Sequence, residues 1–231
     1  MTRSLVLALT LSAALAAPLA APLAAQGNDP DRKVAGGTLP AGWQIRLDRA
    51  SANAADAKVV STGTALHFTT GPSAVYYDPS RTASGSYAVK ATFTQTKAPS
   101  HPEAYGLLFA GRNLDAPTQE YFYFIVRGDG KFSVKHRAND TEVHTIQDWT
   151  AHQAIRPQDA SGRATNALEV TVGAQGVSYR VNGTEVFSQR LADVAGSAGL
   201  QALAGLAGIR VNHNLDVQVD GFAVTQSAIA R

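Results

Sequence analysis

The sequence predicts an all-β protein, a two-sheet antiparallel sandwich, and three observations carry that expectation. Apolar residues recur at every second position in segment after segment. Hairpin-type turn signals separate those segments. No stretch of twelve residues shows a helical stripe.

The clearest strand covers residues 86–95, where Tyr87, Val89, Ala91 and Phe93 share one face and Ser86, Lys90, Thr92 and Thr94 the other. Residues 167–172, 177–181 and 215–220 alternate in the same way. Ten weaker segments follow the pattern: 44–47, 58–61, 66–69, 75–78, 105–110, 121–127, 131–137, 143–149, 185–189 and 208–211. Asn182-Gly183 between two alternating runs is a strong hairpin signal, because both central residues of the favoured tight turn need positive φ.

Gly128-Asp129-Gly130 separates another pair of runs, and side-chain parity selects its loop length. If Arg127 pairs with Lys131 across a three-residue loop with Gly130 left-handed, then Phe122, Phe124, Val126, Phe132 and Val134 fall on one face. The other face receives Tyr121, Tyr123, Arg127, Lys131, Lys135 and Arg137. A one-residue slip would exchange the faces and mix apolar with charged residues. The three-residue loop predicts a solvent-facing sheet surface with two tyrosines among cations, and Phe124 and Val134 beneath it.

The N-terminus reads as a secretory signal over residues 1–25. Arg3 supplies the charge, a short apolar core follows, and small residues broken by Pro18 and Pro22 complete it. A transmembrane helix needs about 20 unbroken apolar residues, so no membrane anchor is expected. Residues 26–40 read as a flexible leader and 41–226 as one sandwich domain, secreted or periplasmic. There is no cysteine, which excludes disulfides, thiol nucleophiles and thiolate metal sites. Without residues 1–25, 19 basic side chains face 18 acidic ones, and no long basic block occurs. Nucleic acid is therefore not an expected partner.

Motifs for common chemistries are missing. The sequence has no Gly-x-Ser-x-Gly elbow, phosphate loop, dinucleotide fingerprint or His-Glu-x-x-His pair. The six histidines are scattered, so no metal site or cofactor is expected. Asp216 offers one oxygen donor for a structural calcium, which needs about six to eight. Glycoside hydrolysis needs two carboxyls across the scissile bond, and the acidic residues between 103 and 169 are dispersed. The aromatics are more informative. Tyr105, Tyr121, Phe122, Tyr123, Phe124 and Trp149 cluster mid-chain, and flat rings flanked by Arg and Lys suit sugar rings and their hydroxyls.

The order of Tyr105-Gly106-Leu107-Leu108-Phe109-Ala110-Gly111, Glu120-Tyr121-Phe122-Tyr123-Phe124, Arg127-Gly128-Asp129-Gly130-Lys131-Phe132, Trp149-Thr150, 166–170, 181–186 and 196–200 resembles the concanavalin A-like lectin/glucanase jelly rolls. Within them it is most similar to the secreted bacterial 3-keto-disaccharide hydrolase-like (domain of unknown function) group and laminin-G-like modules, over roughly residues 40–225. The resemblance implies a concave sheet facing a ligand, often a glycan, and carries over no catalytic residue. The Glu-x-Asp-x-x-Glu strand of the glucanases is absent. Three readings stay open: a secreted, non-catalytic glycan-binding module, a hydrolase of 3-keto-disaccharides or related glycosides, and a structural envelope or adhesion module. The candidate ligand residues are Tyr123, Lys135, Arg137, Tyr121 and Arg127, with Arg112 and Trp149 added without a register argument.

Overall fold

The computed structural model describes residues 29–34, 36 and 38–226. The expected signal over 1–25 lies outside the described residues. Fourteen strands form, and each overlaps one of the segments read from alternation. In chain order they are β1 (Gln44–Leu47), β2 (Ala57–Thr62), β3 (Ala65–Thr70), β4 (Ala74–Ala83), β5 (Tyr87–Gln95), β6 (Ala104–Arg112) and β7 (Glu120–Arg127). There follow β8 (Lys131–Arg137), β9 (Val143–Ala151), β10 (Ala164–Gly173), β11 (Gly176–Val181), β12 (Thr184–Arg190), β13 (Gly205–Val211) and β14 (Asp216–Gln226). The one α-helix among the described residues, α1 (Leu191–Ala195), leads into a 3₁₀ segment (Gly196–Leu203).

The strands pair into two antiparallel sheets of seven. Sheet A runs β1-β4-β13-β6-β7-β8-β9 and sheet B runs β12-β11-β10-β5-β14-β3-β2. Their inner faces meet in one core. Phe109, Phe122, Phe124, Phe132 and Val134 of sheet A pack in it with Tyr87, Phe93, Val170 and Tyr179 of sheet B. Phe124 and Tyr179 approach to 5.4 Å between ring centroids.

Both turn readings hold. Asn182 and Gly183 have φ of 51° and 82°, the double left-handed geometry of the tight hairpin turn. Arg127 is bonded to Gly130 N–H across the three-residue loop, and Gly130 has φ 82°. The pairs Tyr121↔Arg137, Tyr123↔Lys135 and Val126↔Phe132 give the expected register.

The described part of the expected leader is tied to the sandwich. Arg32 donates through Nη2 to the carbonyls of Thr70 (3.0 Å) and Leu215 (2.7 Å), and its amide donates to Asn214. The polar composition of this stretch suggested freedom; Arg32 instead adds hydrogen bonds to carbonyls at the strand ends.

Candidate functional site: the outer face of sheet A

The middle of sheet A is buried on both sides, although no third layer lies across its outer face among the described residues. In β6 every residue but the last is buried, and in β7 every residue but the first and last. The outward residues Val75, Tyr77, Ala104, Leu108, Leu114, Tyr121, Tyr123 and Ile125 form a second apolar cluster of their own. Two features roof it. Leu114, from the 113–119 loop, packs into the cluster, and that loop is bonded to the β8–β9 loop through Asp140 N–H to Pro117 C=O (3.1 Å). The face is also drawn into a trough. A flat sheet would hold β1 and β8 about 24 Å apart, at roughly 4.8 Å per strand. Yet Arg46 of β1 reaches Asp140, just beyond β8, at 2.6 Å. Asp48, just beyond β1, lies 3.6 Å from Arg137 of β8.

Register explains who meets in the trough. The pairings Arg46↔Val75, Val75↔Arg210, Arg210↔Gly106, Gly106↔Ile125 and Ile125↔Ser133 form one row across six strands. Gly106 has no side chain to stand between Arg210 and β7, and the Arg210 guanidinium lies 5.5 Å from the Tyr123 ring centroid. Arg210 grips both oxygens of Asp48 (2.5 Å each) and donates through Nε to Asn212. Arg137 donates to the Tyr121 hydroxyl (3.0 Å) and to the carbonyls of Asn139 and Asp140.

The expected solvent exposure of this face is corrected here. Tyr121, Tyr123 and Arg137 are only 1%, 6% and 7% exposed, and Arg210 is 5%. They share a face as parity demanded, but the curl and the two loops bury it. Arg137 is therefore spent on fixing Tyr121 and the β8–β9 loop. Lys135 is half-buried beside Tyr123. It has no acidic partner among the described residues, and the Tyr123 hydroxyl has no hydrogen-bond partner among them.

Electrostatics follow the packing. Burial pushes the Tyr123 hydroxyl up to about 12, despite the opposing pull of Arg210, so it stays protonated near neutrality. Burial raises Tyr121 likewise. Burial would also raise the Asp48 carboxyl, but the charge and hydrogen bonds of Arg210, with Arg137 and Arg49, more than offset it and hold it low. The hydrogen bond from Gln119, with the pairing to Arg46, lowers Asp140.

The remaining candidates divide. Arg127 and Trp149 belong together at the hairpin end of the same face. Arg127 lies 4.2 Å over the Trp149 ring while paired with Asp129 (2.6 Å), and Trp149 packs on the outer cluster. Arg112 leaves the trough. An extra residue in β6 shifts the register between Phe109 and Arg112, and Ala110 takes φ 53° there. The side chain consequently turns to the sandwich edge, where it caps Ala202 C=O (2.8 Å) near Glu120 and His136. Asp216 is engaged with His67 (2.6 Å), Lys97 (3.3 Å) and Thr96. No cluster of three or more His, Asp or Glu able to hold a metal occurs among the described residues.

Arg46, Asp48, Asp140 and Arg210 were not singled out from the sequence. Arg46 and Arg210 did carry a signal, since each alternates with core residues (Ile45 and Leu47; Ile209 and Val211).

No family model matches the chain, and no curated protein matches it in sequence. Solved structures do share its fold. A carbohydrate-binding module, CBM66 from Bacillus subtilis, superposes with TM-score 0.58 at 11% identity, over 80% of this chain and 96% of that one. A Bacillus subtilis protein of unknown function with a galectin-like fold gives 0.58 at 14% identity, over 80% and 89%. A family 7 alginate lyase, A1-II′, in complex with product gives 0.53 at 14%, over 80% and 95%. The likeness shows the fold, an all-β, two-sheet jelly-roll sandwich.

Proposed function

We propose that this jelly roll is a secreted, non-catalytic glycan-binding module whose ligand lies in the trough of sheet A. One observation carries the reading. Lys135 and the Tyr123 hydroxyl are neighbouring hydrogen-bond donors without partners among the described residues, on a floor of tyrosines and arginines already locked in place. Two free donors on a rigid, partly apolar surface call for a ligand dense in oxygen acceptors, and pre-organisation lowers the cost of binding it. The partly exposed Trp149 ring at the hairpin end adds apolar surface suited to a sugar face. Two of the similar structures are described as a carbohydrate-binding module and an alginate lyase with product, which is consistent with this reading.

Hydrolysis, including that of 3-keto-disaccharides, is less well supported. A general acid needs a carboxyl held protonated near neutrality. Asp48 and Asp140, the carboxyls paired with the trough arginines, are both held below the usual range.

The test is a glycan array followed by calorimetry. Lys135→Ala and Tyr123→Phe should each weaken binding about tenfold, the worth of one good hydrogen bond. Binding unchanged in both variants would move the site elsewhere, and binding to no glycan would favour a structural module.

A further inference from the structure

We propose that the trough takes an acidic glycan, and that Asp140 fills the position of a ligand carboxylate while the site is empty. This rests on the glycan reading above and adds the substrate class. Around the trough floor Arg46, Lys135, Arg137 and Arg210 stand against Asp48, Asp115 and Asp140. Removing Asp140 raises the cationic surplus of this face by one.

The two carboxylates on the arginines are held very differently. Asp48 follows β1 directly and grips buried Arg210 through both oxygens. Removing it would leave an uncompensated buried charge. Asp140 rides on the short β8–β9 loop, and its side chain is 36% exposed. Arg46 and Gln119 both donate to it. The loop has its own scaffold, in which Asn139 Oδ1 accepts from the amides of Thr141 (2.9 Å) and Glu142 (3.0 Å). Arg46 is fixed on a strand, and Arg46, Asp48, Arg49, Asp140 and Thr141 line a cleft open to solvent. A partly exposed ion pair contributes little to stability. A ligand carboxylate can therefore replace Asp140 on Arg46 at small cost, because the guanidinium fork accepts any planar carboxylate in the same way. Lys135 and Tyr123 then take hydroxyls or a second carboxylate of the same chain.

The experiment uses the full chain with two probes, polygalacturonate and a neutral β-glucan of similar length, by calorimetry at low and high salt. Polygalacturonate should bind, more weakly at high ionic strength. Asp140→Asn should tighten that binding about threefold or more, since it removes a competitor worth a surface ion pair. Arg46→Ala should weaken it about tenfold. A purely structural Asp140 would give the opposite sign or no change. Unfolding midpoints show that the variants are folded, and Asp140→Ser repeats the test with a shorter side chain. Equal or weaker binding by folded Asp140→Asn and Asp140→Ser overturns the proposal. Binding of the neutral glucan alone overturns it and leaves the glycan reading standing. Binding of neither probe, nor of any glycan on an array, removes both.

Discussion

On the outer face of sheet B, Lys90, Glu169 and Arg180 stand opposite one another in a row across β5, β10 and β11. The charges alternate in sign, and β10 and β11 bury only the residues that face the core. On the outer face of sheet A, Arg46, Arg210 and Arg137 also reach across strands, yet Arg210 and Arg137 are buried with Tyr121 and Tyr123. One face is a solvated surface whose cations match their neighbours. The other desolvates cations and aromatics on a side the core does not need. Burying a guanidinium is costly unless it is paired and hydrogen-bonded, and on sheet A both buried guanidiniums are: Arg210 by Asp48 and Arg137 by the Tyr121 hydroxyl and two loop carbonyls.

The largest effect that could break this contrast is at Asp48. Asp48→Ala leaves Arg210 and Arg137 without their shared carboxylate and should destabilise by about 3 kcal/mol. Glu169→Ala on sheet B should stay within about 0.5 kcal/mol. Equal costs in denaturant unfolding would show that the two faces do not differ in kind. Glycines sharpen the point. A Cβ at Gly106 in β6 would meet Phe124 C=O at 2.0 Å, whereas one at Gly173 in β10 would meet nothing within 4 Å. Gly106→Ala should cost about 1–3 kcal/mol, and Gly173→Ala should be neutral or slightly stabilising.

Acid unfolding probes the same carboxylate. The Asp48 pKa is lowered in the folded state. Its contribution is therefore fully present above the unfolded value, about 3.9, and is lost as pH falls through the lower folded value. Asp48→Asn should flatten the stability profile below about pH 4. An acid limb identical to that of the parent protein would remove Asp48 from the account. Smaller still is the hairpin glycine. Gly130→Ala forces a left-handed φ on a side chain that has room, its nearest neighbour being 3.9 Å away. The cost should be about 1 kcal/mol, all of it backbone.

The fold was largely legible because period-2 alternation is a local signal, and it marked all fourteen strands. The β7–β8 register was legible for the same reason: parity and a three-residue loop decide it. The trough was half legible. Parity put Tyr121, Tyr123, Lys135 and Arg137 on one face, but burial of that face depends on curl and on the 113–119 and β8–β9 loops, which alternation does not report. Arg210 and Asp48 are 162 residues apart in sequence, and their meeting needs the order β1-β4-β13. Arg112 had no register argument behind it: a single extra residue in β6 reverses parity just before it, and nothing in Ala110-Gly111 announces which residue will bulge.

The smallest expected effect on stability is also the most discriminating. Lys90 and Lys135 each stand on an outer face, Lys90 in a mid-sheet strand of sheet B and Lys135 one strand in from the edge of sheet A. Lys90 has Glu169 opposite it, while Lys135 has Tyr123 and no acid among the described residues. Replacing either by Ala removes no buried pair and leaves no cavity, so both should keep the unfolding free energy within about 0.5 kcal/mol. Stability thus treats them alike, and only ligand binding can separate them. If sheet A holds the site, Lys135→Ala weakens glycan binding about tenfold and reduces its salt dependence, while Lys90→Ala does neither. Equal losses in the two variants would mean that the protein's overall positive charge, rather than the trough, attracts the ligand. A loss confined to Lys90→Ala would move the site to sheet B.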